Sequence, residues 1–262
     1  MQGSFSKKQL IKNHSTHVKF RRPTLNSPFS TINYQKQSLM KNNLIIILFG
    51  GLFLLPANEI FAQKKIAEFT VVYNYTMTVA GKENASPGAT HTLFINGNLS
   101  RSEFNSPMIS FSAIRDATTG TGAILRELSG QKLLIPMTAD DWRDRNKRYD
   151  GLHYTITNES KTIAGYKCVK AIALTNDSLR ITVYFTRDLI PDTKDFDPQF
   201  RGLEGLPLEY EIQKGNLTIR YVLNSINMNP VPASKFDIPK SGYRVLTYEE
   251  SKKLYPGGSG TN

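Results

Sequence analysis

Residues Thr90 to Phe104 read THTLFINGNLSRSEF. Apolar and polar residues alternate on both sides of Asn96-Gly97-Asn98. A period of two marks a half-buried strand, and Asn-Gly between two such runs is the strongest short hairpin signal in the chain. The same grammar extends in both directions. AEFTVVYNYTMTV (Ala67 to Val79) precedes it across a polar loop from Gly81 to Gly88. MISFSAIRDA and GAILREL follow, flanking Thr118-Thr119-Gly120, and Ser129-Gly130 leads into QKLLIPM. KTIAGYKCVKAIAL and LRITVYFTRDL form a further hairpin through Asn176-Asp177-Ser178. PLEYEIQ and LTIRYVLNSINM form another through Lys214-Gly215-Asn216.

Helix signals are few. Thr138 caps an acidic first turn with Asp140 and Asp141, and Arg143, Arg145, Lys147 and Arg148 suit the helix end. Thr247-Tyr-Glu-Glu250 is a capping-box pattern that opens a short helix stopping near Pro256-Gly257. Many evenly spaced strands with one central and one C-terminal short helix predict a mainly β protein. The expected architecture is a single antiparallel, strongly curved sheet, an open half-barrel.

The first 62 residues read differently. Met40-Lys41-Asn42-Asn43 precedes an apolar run of 12 residues, Leu44 to Leu55, and the segment closes at Ile60-Phe61-Ala62 before Gln63. This is the layout of a secretory signal peptide cleaved between Ala62 and Gln63, and the run is too short to span a bilayer. Residues 1–39 read as a non-native or disordered upstream extension, 40–62 as the signal, 63–256 as one β-rich domain and 257–262 as a flexible tail. Localisation is then periplasmic or secreted, with no transmembrane span after cleavage. The segment 1–62 carries 8 of the 33 Lys+Arg and 1 of the 22 Asp+Glu, so its removal lowers the net charge from +11 to +4. A nucleic-acid partner loses its electrostatic basis.

Chemistry-bearing patterns are sparse. Beyond residue 62 the chain has two histidines, His91 and His153, and one cysteine, Cys168. No HExxH, CxxC, GxSxG or glycine-rich phosphate loop occurs. Cys168 lies inside an alternating strand, where thiols are ordinarily buried and inert. Asp188, Asp192, Asp195 and Asp197 read as a solvated acidic loop; their spacing lacks the glycine and terminal glutamate of a calcium loop. No catalytic residue, metal ligand or cofactor is expected. An enzyme built on dispersed carboxylates such as Asp188 or Glu209 is the least favoured reading. Phe69, Tyr73, Tyr75, Tyr184, Tyr210 and Tyr221 fall on alternating strands and either fill a core or line an apolar cavity.

TIAGYKCVKA, ITVYFTRDLIP and GLEGLPLEYEI together resemble the GLPGLI family of exported Bacteroidota proteins. The matching residues are Ile163, Gly165, Tyr166, Cys168, Lys170 and Ala171, then Tyr184, Phe185, Ile190 and Pro191, then the loop Gly202, Leu203, Gly205, Leu206 and Pro207. The loop departs from the family's name at Glu204, which stands where proline is usual, and at Pro207-Leu208, which stand in place of the isoleucine. A sister group fits equally. KFDIPKSGYRVLT (Lys235 to Thr247) resembles the closing strand of lipoprotein-carrier-like curved sheets. These resemblances imply export, a half-barrel around a helix, and no established activity. Export, the β pattern and the lack of a catalytic constellation lead to a non-enzymatic envelope protein that binds a lipid, lipoprotein or other apolar partner in the curved sheet; the alternative is an accessory envelope interaction protein with a filled core. The resemblance also makes Asp177-Ser178-Leu179 a candidate O-glycosylation pattern at Ser178.

Overall fold

A computed structural model describes residues 63–84, 88–193 and 195–254. The expected extension, signal and tail, with Ala62, lie outside the described residues. In chain order the strands of the first half are β1 (Lys64–Ile66), β2 (Glu68–Val79), β3 (Lys82–Asn84), β4 (Thr90–Asn96), β5 (Leu99–Asn105), β6 (Ile109–Asp116), β7 (Gly122–Leu128) and β8 (Gln131–Met137). Helix α1 (Ala139–Asn146) and a 3-10 turn (Lys147–Tyr149) follow. The second half holds β9 (Thr155–Ile163), β10 (Tyr166–Leu174), β11 (Arg180–Thr186), β12 (Leu189–Pro191), β13 (Leu206–Lys214), β14 (Leu217–Asn227), β15 (Arg244–Val245) and α2 (Tyr248–Leu254).

One 13-stranded sheet runs in the order β15-β8-β7-β6-β5-β4-β2-β14-β13-β11-β10-β9, with β3 beside β2. Every neighbouring pair in it is antiparallel except β15 on β8. The two end strands do not meet, so the sheet is an open, curved half-barrel as expected. The first long strand, β2, pairs with the last, β14, at the centre. Each is the root of a meander running outward in its own direction. The chain leaves β8 near one end of the sheet and re-enters at β9, the other end, so α1 and its 3-10 turn make the crossing.

Curvature has a local cause. The ladders β14–β2, β11–β13 and β10–β9 each shift register, after Leu223, Tyr184 and Val169 respectively. An extra residue in one strand bends it and increases its twist. The ladders from β2–β4 to β7–β8 run in uniform register.

The opening hairpin forms as read: β4 and β5 close through Asn96 opposite Leu99, with Gly97 at φ +56°. Thr138 caps α1 through a complete capping box with Asp141, and Thr247 and Glu250 form the matching box at α2. The expected closing strand in Lys235–Thr247 reduces to a 3-10 turn (Ala233–Phe236) and the two residues of β15. Pro239 and Gly242 interrupt the run; proline lacks a ladder donor and Gly242 sits at φ +80°. Among the described residues no helix is long and apolar enough to cross a membrane.

Candidate functional site

The inward residues of β2, β4, β10, β11, β13 and β14 form one continuous core. At its centre lie Tyr73, Tyr210 and Tyr221, each at most 1% exposed. Tyr210 stacks on Tyr221 at 4.3 Å between centroids, and Tyr73 meets Tyr210 edge-on at 5.3 Å. His91 stacks on Tyr73 at 5.8 Å. The segment between β12 and β13 closes over these rings. Phe200 packs edge-on to Tyr210 at 4.9 Å, and Phe196 reaches Phe69 at 6.4 Å. The concave face is therefore plugged here by rings from a loop that the sequence reads as polar. Five of the six strand aromatics singled out above lie in this core. Tyr184 is the exception: it is half-buried and packs against the core from its edge, with Lys161 Nζ 3.8 Å from its ring centroid.

The loop departs from the solvated acidic loop expected from composition at Asp197, whereas Asp192 is exposed and Asp188 and Asp195 are half-buried. Asp197 is 4% exposed and caps the 3-10 turn Pro198–Phe200. Its carboxylate accepts from the Gln199 backbone N–H at 3.0 Å and from Gln199 Nε2 at 2.9 Å. Burial pushes its carboxyl up to about 6, against those hydrogen bonds. Gln199 Oε1 is buried with no hydrogen-bond partner, and Tyr154 O–H donates to the Gln199 carbonyl at 2.6 Å. Asp195 instead pairs with Arg201 at 3.0 Å. Among the described residues no group of three acidic, histidine or cysteine side chains could hold a metal ion.

A Ser–His–Tyr relay crosses the same interior. His91 Nε2 lies 2.8 Å from Ser102 Oγ, and Nδ1 lies 3.0 Å from Tyr210 O–H. Burial lowers the His91 pKa to about 4, so the ring is neutral, and burial holds the Tyr210 proton on its oxygen. A neutral imidazole donates through one nitrogen and accepts through the other, and the Ser102 and Tyr210 hydroxyls can complete it in either tautomer. The pair of contacts satisfies a buried histidine. The other histidine, His153, is exposed. Glu209 is held by Lys161 and Arg220, each at 2.7 Å.

Two residues of the quoted resemblance, Cys168 and Leu206, lie in one packed rung. Cys168 on β10 pairs with Thr186 on β11, and Thr186 pairs with Leu206 on β13; all three are 0% exposed. Burial raises the Cys168 thiol to about 11, so it is inert at neutral pH. Gly165 and Gly202 occupy positive φ, +84° and +92°. Gly205 is required for a different reason. A Cβ there would lie 2.0 Å from the Thr186 carbonyl oxygen. Pro207 sits where the β11–β13 register shifts, and its carbonyl accepts from Tyr73 O–H at 2.8 Å. Ser178 is exposed on the β10–β11 turn at φ +63°, and Gln63 is exposed ahead of β1.

Openings occur on the other side of the loop. Two adjoining clefts share Arg115 of β6 and Trp142 and Asn146 of α1. The inner, of about 40 Å³, also reaches Ser102, Phe196 and Asp197. The outer, of about 200 Å³, is bounded by Gly120, Ala139, Arg143, Asp150 and Arg201. Gly120, at φ +71°, lets the β6–β7 turn press against Ala139: a Cβ on it would sit 3.1 Å from the alanine methyl. Sequence reasoning placed the helix but not these clefts, because Arg115, Trp142 and Arg201 are far apart in the chain and share no motif.

No family model matches the chain, and no curated relative does. Among solved structures it is similar to PNGF-II (TM-score 0.45, 14% identity, 72% of this chain and 33% of that one). It is also similar to MucB (0.37, 14% identity, 66% of this chain and 58% of that one). A third neighbour is lipoprotein LppX of Mycobacterium tuberculosis (0.35, 11% identity, 63% and 88%). The chain spans about a third of the length of PNGF-II. With every one of these scores below 0.5, the functional reading rests on the chain's own residues.

Proposed function

We propose that this is an exported, non-enzymatic cell-envelope protein that works by engaging another envelope protein, its half-barrel filled and not kept open for a lipid. The observation that carries this reading is the plug: Phe196 and Phe200 pack onto the Phe69 and Tyr210 rings where an apolar ligand would lie. The alternative, a lipid or other apolar partner held in the concavity, requires those rings to part. Export rests on the Leu44–Leu55 run and the Ala62-Gln63 junction. Membership of a GLPGLI-like group rests on the resemblance quoted above. O-glycosylation at Ser178 is part of the same proposal and is supported by the exposure of that turn.

The test is isolation from the native host. The expected product begins at Gln63, carries no co-purifying lipid, and crosslinks reproducibly to one protein partner. A glycan-sized excess mass that disappears in Ser178→Ala would support the modification, and an unmodified mass would remove it. Stoichiometric lipid in the native mass spectrum would overturn the filled-core reading in favour of a carrier.

A further inference from the structure

We propose that the outer cleft, between α1, the β6–β7 turn and the loop around Asp195, binds a small oxyanion, a phosphate or carboxylate group. The residues that would hold it are Arg115 and Trp142. The inference goes beyond the proposed function and does not depend on it.

Two buried donors beside these clefts lack acceptors. Trp142 is 6% exposed, anchored among Phe111, Leu133, Ile135 and Met137, yet its indole Nε1 is buried without a hydrogen-bond partner. Arg115 Nε is buried and unpartnered too. Both side chains line the same two clefts. Buried donors without acceptors are costly, and folded proteins rarely leave such groups without a partner. Both groups only donate, so what completes them must accept.

Charge narrows the acceptor. Three arginines line the outer cleft. Arg143 is paired with Asp140 and Arg201 with Asp195. Arg115 contacts the loop through the Asp195 backbone carbonyl, with Nη1 3.3 Å away, and forms no ion pair with a carboxylate among the described residues. The carboxylates at the rim do not replace an anion. Asp150 is exposed, and Asp197, in the inner cleft, is engaged by Gln199. A water could take one donor but would leave the guanidinium charge unanswered. Phosphate and carboxylate oxygens answer both, and guanidinium is the side chain best shaped for them. At about 200 Å³ the outer cleft exceeds the roughly 30 Å³ that one water takes up in the liquid.

Trp142 is the chain's single tryptophan, so its indole N–H gives one unambiguous resonance. The experiment titrates the ¹⁵N-labelled protein with inorganic phosphate and, separately, with acetate, at ionic strength held constant with chloride. The expected result is a saturable shift of the indole N–H with at least one anion, weakened by about tenfold or more in Arg115→Gln. Arg115→Lys should recover part of the affinity, since it keeps the charge and loses the planar fork. Saturation by phosphate alone assigns a phosphoryl group, and saturation by acetate alone assigns a carboxylate. A linear, non-saturating response to both anions in the wild type overturns the proposal. So does equal affinity in the wild type and a folded Arg115→Gln or Arg115→Lys protein. If Arg115→Gln does not fold, the wild-type titration and the lysine variant decide.

Discussion

The two arms of the sheet are built from the same hairpin grammar but enclose different interiors. The arm from β14 to β9, with β2 and β4, shares one continuous core in which tyrosines stack ring on ring and a loop supplies the lid. The arm from β5 to β8 has two smaller cores, one around Trp142 and one around Val231 and Phe236. Arginines work among its apolar groups: Arg126 and Arg145 both sit against the Phe111 ring, at 5.4 and 5.6 Å. Register shifts are confined to ladders of the first arm and its junction with β2. There the bulges bend the sheet around its aromatic filling, whereas the arm in uniform register takes Trp142 of α1 into its core and leaves clefts beside the helix. The difference teaches that closure of this fold comes from the loop and the crossing helix, not from the sheet.

The sharpest way to break that contrast is to remove the lid. Phe200 is 3% exposed and touches both Tyr210 and Phe196. Phe200→Ala is expected to cost about 3–5 kcal/mol in urea unfolding, the transfer loss plus the cavity left behind. It should also create binding of an apolar dye that the wild type lacks. Phe111→Ala in the other arm, whose ring lies against two guanidinium groups, is expected at or below the low end of that range. Equal losses and no dye binding would mean that the two interiors do not differ.

A smaller effect separates the arms by pH. The Asp197 carboxyl is raised to about 6 in the folded chain, so the folded state holds more protons than the unfolded state between about pH 4 and 6. Its contribution to stability is present at low pH and is lost as pH rises through 6. His91 does the opposite. Its pKa is lowered to about 4, so its contribution is present above about 6.5 and is lost as pH falls toward 4. In the wild type the two slopes oppose each other across one window. Asp197→Asn should leave the histidine slope exposed, so that melting temperature rises steadily from pH 4 to 6.5. It should also stabilise the protein near pH 7 by about 1–2 kcal/mol, because a buried charge is removed. A melting temperature that stays flat across the window would show that Asp197 is not the opposing group.

Much of the fold was legible because alternation and turn chemistry are local. The hairpin at Asn96-Gly97 and both capping boxes needed only a few adjacent residues. What could not be read depends on which face of the curve a residue meets. Tyr184 and Phe185 are neighbours with similar rings, yet one is half-buried under Lys161 and the other is 1% exposed inside. Gly205 looks like a turn glycine in sequence, but its need comes from a carbonyl on β11, about 19 residues earlier. Asp197 reads as solvated because it follows Asp192, Lys194 and Asp195 in one charged run. Phe196 and Phe200, four apart around the Asp197-Pro198 cap, were the available sign that this loop turns inward. The clefts had no such sign: Arg115, Trp142 and Arg201 meet only because α1 crosses from one end of the sheet to the other.

That crossing supplies the smallest test. α1 is eight residues long and begins at a capping box: Thr138 Oγ accepts from the Asp141 N–H at 3.2 Å, and the Asp141 carboxylate takes the Thr138 N–H at 2.9 Å. A helix this short has little intrinsic stability, so its first turn matters more than in a long helix. Thr138→Ala is expected to cost about 1 kcal/mol. The loss should be felt unevenly. Amide exchange should speed up in α1 and broaden the Trp142 indole resonance, while the amides of β10, β11 and β13 keep their protection, because their core does not use this helix. If protection falls equally in both arms, the helix is holding the whole half-barrel together, and the contrast between a self-sufficient arm and a helix-dependent one fails.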